Sequence, residues 1–147
     1  MFVAVLLSGL LRATIVPRMS LEQMVAQSDF IVHGRIGNSW AAWDAARRWI
    51  WTHHEVELYE ALKSAGPSRI VVSVPGGIAD GIGMQVSGTA RFTGGQEVLL
   101  FLQRAPNGYL RITAWTQGQL RVSRNDPAVE VFKARVRELV RKSAGGR

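Results

Sequence analysis

A chain of 147 residues, 47% hydrophobic and 20% charged, has the size and balance of one globular domain, which excludes a disordered or fibrous protein. It has no cysteine, so disulfides, thiolate zinc sites, iron–sulfur clusters and cysteine nucleophiles are excluded. The net charge of +7 is spread along the chain rather than gathered in one segment, which argues against a dedicated nucleic-acid stripe.

Residues 2–11 form an apolar run, followed by Arg12 and Ala13. The run is too short for a membrane-spanning helix, which needs about 20 residues. It fits the hydrophobic region of a secretory signal, with Ala13 at the cleavage position. Residues 1–13 are therefore read as a signal-peptide remnant, and the protein as exported (periplasmic or extracellular) with no transmembrane span. The competing reading makes the run a first buried strand or helix of the fold.

Residues 14–142 read as a single domain. Ser20 and Gln23 have the spacing of a capping box, and Leu21, Met24 and Val25 follow at helical spacing, which predicts a short helix over 21–28. Phe30 to Ile36 is β-rich and starts a strand that extends toward Trp40, with Trp43 to Arg47 as the connection to the next. From Arg48 to Leu62 the chain alternates. Ile50, Thr52, His54, Val56 and Leu58 share one face and are expected in the core. Trp49, Trp51, His53, Glu55, Glu57 and Tyr59 share the other, expected to be wet where the glutamates lie. A turn at 63–67 leads to a strand at 69–74. Residues 75–96 are the least regular stretch, rich in glycine, with Met84 to Ser87 as a candidate short strand. Glu97 to Leu102 is nearly all apolar, as in a central strand buried on both faces. Pro106-Asn107-Gly108 signals a hairpin, Tyr109 to Trp115 pairs back, and Gln119 to Val122 adds a last short strand. Asp126-Pro127 starts a C-terminal helix with an apolar stripe of Val129, Phe132, Val136, Leu139 and Val140. Residues 143–147 are expected to be a Gly-rich disordered tail.

The chemistry-bearing residues are few. Of the three histidines, neighbours His53 and His54 point to opposite faces of a strand, so together they cannot hold one ion without a bulge. His33 with one of them and Glu55 would be the minimum for a metal site, and unrelated strand histidines are the favoured reading. There is no nucleophile elbow, zincin helix or phosphate-binding loop. The chain is read as non-enzymatic, with no catalytic residues, metal or cofactor. Candidate binding residues fall in two groups. Trp40, Trp43, Trp49 and Trp51 lie within twelve positions, either as cross-strand packing or as an exposed platform for a ligand. Ile78, Ile82 and Met84 lie in the Gly-rich loop, either as partner anchors or folded back as core.

Several motifs recur in one order. They are Val32-x-Gly34, Thr52-x-x-x-Val56-x-Leu58, Val74-Pro75-Gly76-Gly77, Gly88-x-x-x-Phe92-x-x-Gly95-x-Glu97 and Gln117-Gly118. Over about residues 14–122 the chain resembles a family of exported bacterial proteins with a Pro-Gly-Gly signature, some found with matrixin-type metalloproteases. More distantly it resembles the OB-fold domain of the netrin and tissue-inhibitor-of-metalloproteinases group. Those inhibitors chelate zinc through an N-terminal cysteine, a residue this chain lacks. The expected fold is mainly β, a five- to six-stranded OB-like barrel with a short N-terminal helix and a C-terminal helix packed outside. The expected function is a binding module of the cell envelope contacting a protein partner, with a metalloprotease as the class the resemblance implies. The alternative is an oligosaccharide or single-stranded nucleic-acid binder that uses the Trp cluster.

Overall fold

The computed structural model describes residues 17–146, so the signal-remnant reading of residues 1–13 lies outside the described residues. The fold is mainly β. In chain order it runs α1 (Leu21–Gln27), β1 (Phe30–Trp43), β2 (Ile50–Lys63), β3 (Arg69–Pro75), β4 (Gly77–Ala79), β5 (Ile82–Met84), β6 (Glu97–Arg104), β7 (Leu110–Ile112), β8 (Gln119–Arg121) and α2 (Pro127–Gly145). The capping box forms as the sequence predicts, with Gln23 N–H donating to Ser20 Oγ at 3.1 Å and Ser20 N–H to Gln23 Oε1 at 3.0 Å. Asp126 caps α2 through Ala128 N–H, with Pro127 in the first turn.

Six strands form one sheet in the order β1-β2-β3-β7-β6-β8, and a further β1–β6 pairing joins β1, β2, β3, β7 and β6 into a ring of hydrogen bonds, with β8 added at β6. β1 makes this possible because it is long and irregular. Its first residues pair with β6, from Phe30↔Leu102 to Arg35↔Glu97, while Ile31 to Ile36 and Ser39 to Trp43 pair with β2. Register shifts between Ile31 and Val32, His33 and Gly34, and Ile36 and Ser39 bend it, as bulges do. Gly34 sits in the bent part, where a Cβ would meet the Glu57 carbonyl. β3 and β7 run parallel and share a single register pair, Val72↔Leu110. β4 and β5 form a separate two-stranded hairpin.

The core has one cluster on each face of the sheet, as alternation along β1 and β6 requires. Val32, Ile36, Val56, Val72, Val98, Leu100 and Leu102 fill one side. Ile31, Leu99 and Phe101 point the other way and pack under Met24 and Val25 of α1 and Val136 and Leu139 of α2. β6 is thus buried on both faces, which its unbroken apolar run anticipates. Lys133 is buried in α2 and anchors the helix to β2, its Nζ lying 2.6 Å from Glu60 Oε2 and 2.8 Å from Glu130 Oε1. Arg137 also pairs with Glu60.

Several expectations need correction. Trp43 ends β1 rather than opening the connection, and the turn spans 44–49. The short strand in the Gly-rich stretch is Ile82–Met84, paired with Gly77–Ala79, rather than Met84 to Ser87. α2 continues through Ser143, Ala144 and Gly145, where the sequence suggested a disordered tail. On β2, Ile50, His54 and Val56 are buried as expected and Glu57 is exposed, but Thr52, Leu58 and Glu55 are half-buried. Trp51 and His53, on the face opposite the Ile/Val row, are also buried, because Trp40 and Tyr109 lie over them.

Candidate binding surface

The four tryptophans do not form one cluster. Trp40 projects from β1 opposite His53, 45% exposed, and its ring lies 5.5 Å from that imidazole. His53 meets Tyr109 at 5.2 Å, and Tyr109 meets Trp51 edge-on at 5.3 Å. Trp51 is only 8% exposed, and the Arg111 guanidinium stacks 5.1 Å above its ring. A strip of Trp40, His53, Tyr109 and Trp51 therefore crosses β1, β2 and the 105–109 turn. Trp43 is half-buried under the Arg47 guanidinium, 5.6 Å from its ring centre. Trp49 sits just before β2 and is 49% exposed. The indole nitrogens of Trp43 and Trp51 are buried without a hydrogen-bond partner among the described residues.

The Gly-rich loop contributes a second exposed element. Ile78 is 72% exposed and Ile82 53% exposed on the β4–β5 hairpin, while Met84 is half-buried. The Pro-Gly-Gly segment explains how this hairpin is held. Gly76 and Gly77 have φ of 104° and 134°, values that side-chain-bearing residues rarely adopt. Gly77 also lies against β1 and β2, where a Cβ would stand 2.5 Å from Thr52 Oγ1 and 3.0 Å from Ala41 Cβ. Gly76 N–H donates to Ile50 O at 2.8 Å, and Thr52 Oγ1 donates to Gly76 O at 2.7 Å. At the hairpin turn Asp80 pairs with Arg47 at 3.2 Å. That exposed ion pair links the turn carrying Trp49 to the hairpin carrying Ile78 and Ile82.

The histidines have separate environments. His33 Nε2 lies 2.7 Å from Glu97 Oε1, and the other Glu97 oxygen lies 3.6 Å from Arg124 Nε. His53 Nδ1 bonds to Ser73 Oγ at 2.7 Å, and His54 Nδ1 to Ser39 Oγ at 2.6 Å. Burial lowers the pKa of His53, and burial followed by the charge of His53 lowers that of His54, so both are neutral at pH 7. Among the described residues no group of three or more His, Asp or Glu is placed to hold a metal ion, and His33 contacts Glu97 rather than Glu55. No helix among the described residues is long and apolar enough to cross a membrane.

Sequence reasoning did not single out Trp115, Tyr109 or Arg111. Trp115 is exposed in the turn after β7, held with Ala114 at positive φ. No local signal marks it, because its exposure depends on where β7 ends its pairing with β6, at Ile112. No protein-family model matches this chain, and no curated protein matches it. The Pro-Gly-Gly resemblance stands on its motifs alone.

Proposed function

We propose that this protein is a non-enzymatic binding module with a barrel of OB type, exported to the cell envelope, that contacts a protein partner. The OB reading is supported by the strand ring β1-β2-β3-β7-β6, by its parallel β3–β7 closure and by the long bent β1 shared between β2 and β6. Export rests on the apolar run at residues 2–11 and on Ala13. The observation that carries the binding function is the set of exposed apolar side chains at one end of the ring. Trp49, Ile78 and Ile82 stand out from two loops that Arg47 and Asp80 tie together. Exposed apolar surface on anchored loops is the usual character of a protein contact. A metalloprotease is the partner class that the family resemblance implies.

The test uses a double variant, Ile78→Asp with Ile82→Asp, whose exposed positions leave the core untouched. Pull-downs from the source envelope should recover a partner with wild type and lose it with the variant. An unchanged partner list with a folded variant removes this end from the interface. A second reading, an oligosaccharide or single-stranded nucleic-acid binder, is favoured by Trp40, exposed at the edge of an aromatic strip that also carries Arg111. Glycan and oligonucleotide binding that Trp40→Ala abolishes would select it.

A further inference from the structure

We infer that the groove between α1, β3 and the turn after β7 is a binding site for a short oligosaccharide. The site is separate from the protein-binding end, since none of Trp49, Ile78 and Ile82 lines it, and it is separate from Trp40 as well. The groove holds about 860 Å³, within the usual size of a small-ligand site. Gln23 and Gln27 of α1 line one part of it, Ser73 to Pro75 of β3 another, and Trp115 a third. Met19 N–H donates to Gln117 Oε1 at 2.8 Å, and Gln117 Nε2 donates to Pro17 O at 3.4 Å. These bonds fasten the segment before α1 to the turn that carries Trp115. Trp115 is 46% exposed, and both it and Ala114 keep a positive φ, 60° and 53°. Two successive side-chain-bearing residues in that conformation are strained, and such strain collects where a group is presented to a ligand. An indole displayed in a groove offers a flat apolar face on which the C–H face of a pyranose ring can lie.

The polar groups of the lining select the ligand. Gln23 Oε1 accepts Ser20 N–H at 3.0 Å, and its Nε2 has no partner among the described residues. Gln103 Nε2 donates to Gln27 O at 2.8 Å, which leaves its Oε1 without one. Asp29 Oδ2 accepts the Arg104 backbone N–H at 2.8 Å, and its Oδ1 is likewise unpartnered among the described residues. Each of these groups is anchored by one atom and keeps a second for a ligand. Gln23 offers a donor, and Gln103 and Asp29 offer acceptors. The guanidiniums of Arg104 and Arg111 add donors, steadied 5.5 Å from the Phe30 ring centre and 5.1 Å from that of Trp51. Donors and acceptors interspersed beside an aromatic face match sugar hydroxyls, each of which both donates and accepts. The charged Asp29 carboxylate disfavours phosphate and acidic peptide but accepts readily from a hydroxyl, while the two arginines disfavour a basic peptide. An uncharged, hydroxyl-rich ligand satisfies both signs of charge.

The experiment titrates ¹⁵N-labelled full-length protein with cellotetraose, chitotetraose, maltotetraose and oligo(dT), each up to millimolar concentration. At least one of the sugars should shift the indole signal of Trp115 and the side-chain amide signals of Gln23, Gln27 and Gln103. Trp115→Ala should weaken that sugar about tenfold or more, because the ring loses its platform. Gln103→Leu, which removes the unpartnered acceptor, should weaken it about threefold or more, and it decides the question if Trp115→Ala fails to fold. Trp40→Ala and Trp49→Ala should leave the affinity unchanged. No shift with any of the sugars would overturn the inference. A sugar held equally well by Trp115→Ala but lost in Trp40→Ala would move the site to the Trp40 strip and overturn it. Oligo(dT) shifting the same signals more strongly than any sugar would make the groove a nucleic-acid site and overturn it too. Shifts of these signals on raising protein concentration without sugar would assign the groove to a second copy of this chain, with the same consequence.

Discussion

Gly77→Ala tests how the Pro-Gly-Gly segment fixes the exposed hairpin. Three effects combine. Alanine would be held at φ 134°, a strained conformation worth about 1–3 kcal/mol. Its Cβ would stand 2.5 Å from Thr52 Oγ1 and 3.0 Å from Ala41 Cβ. Relieving such overpacking costs about 1–3 kcal/mol. The contact would push Thr52 Oγ1 away from Gly76 O, now 2.7 Å distant. That loss adds about 0.5–1.5 kcal/mol. Because one backbone shift relieves part of all three, the expected total is about 3–5 kcal/mol. For a domain of this size that lowers Tm by roughly 10–20 °C. Thermal and urea unfolding followed by tryptophan fluorescence measures it. Gly81→Ala is the comparison, since Gly81 has φ 75° but nothing within 4 Å of an added Cβ. It should cost only about 1–2 kcal/mol, the left-handed penalty alone. If Gly77→Ala were no more damaging than Gly81→Ala, the close packing of the hairpin on β1 and β2 would be refuted.

Three further outcomes follow from the packing. Trp51→Ala should destabilise the fold by about 3–5 kcal/mol and Trp49→Ala by under about 1 kcal/mol, both read from urea midpoints; equal losses would contradict their different burial. Glu60→Leu should destabilise by about 2–3 kcal/mol, because buried Lys133 keeps only Glu130 as partner, whereas Lys133→Met should stay within about 1 kcal/mol of wild type; the reverse order would refute the anchoring role of Glu60. His53 and His54 both titrate below the usual imidazole value of 6.5, so the unfolded chain binds more protons than the folded one below that pH. Their contribution is full above pH 6.5 and is lost as pH falls through the folded pKa values. The His53→Gln, His54→Gln double variant should therefore show a flatter acid limb of stability against pH, and an unchanged limb would refute it.

Both helix starts were legible from short-range signals, Ser20 with Gln23 and Asp126 with Pro127, because capping is settled within four residues. The turn at Pro106-Asn107-Gly108 and the doubly buried β6 were legible for the same kind of reason, turn chemistry in one case and an unbroken apolar run in the other. The exposed Ile78 and Ile82 were named, but sequence left open whether they were anchors or plug.

What the sequence by itself determined is therefore where the helices start, where the long strands run and which residues on them share a face. Only the tertiary structure decided what lies on each face. Trp49 and Trp51 share parity along the chain, yet Trp49 is exposed and Trp51 buried, because Tyr109, about sixty residues away, packs on one and not the other. The same holds for Lys133, whose burial in α2 follows from Glu60 on β2, and for the β3–β7 contact, whose single register pair lies where β7 begins. Periodicity is a property of neighbouring residues. Burial and strand pairing depend on elements distant in the chain, and no local pattern encodes where those elements come to rest.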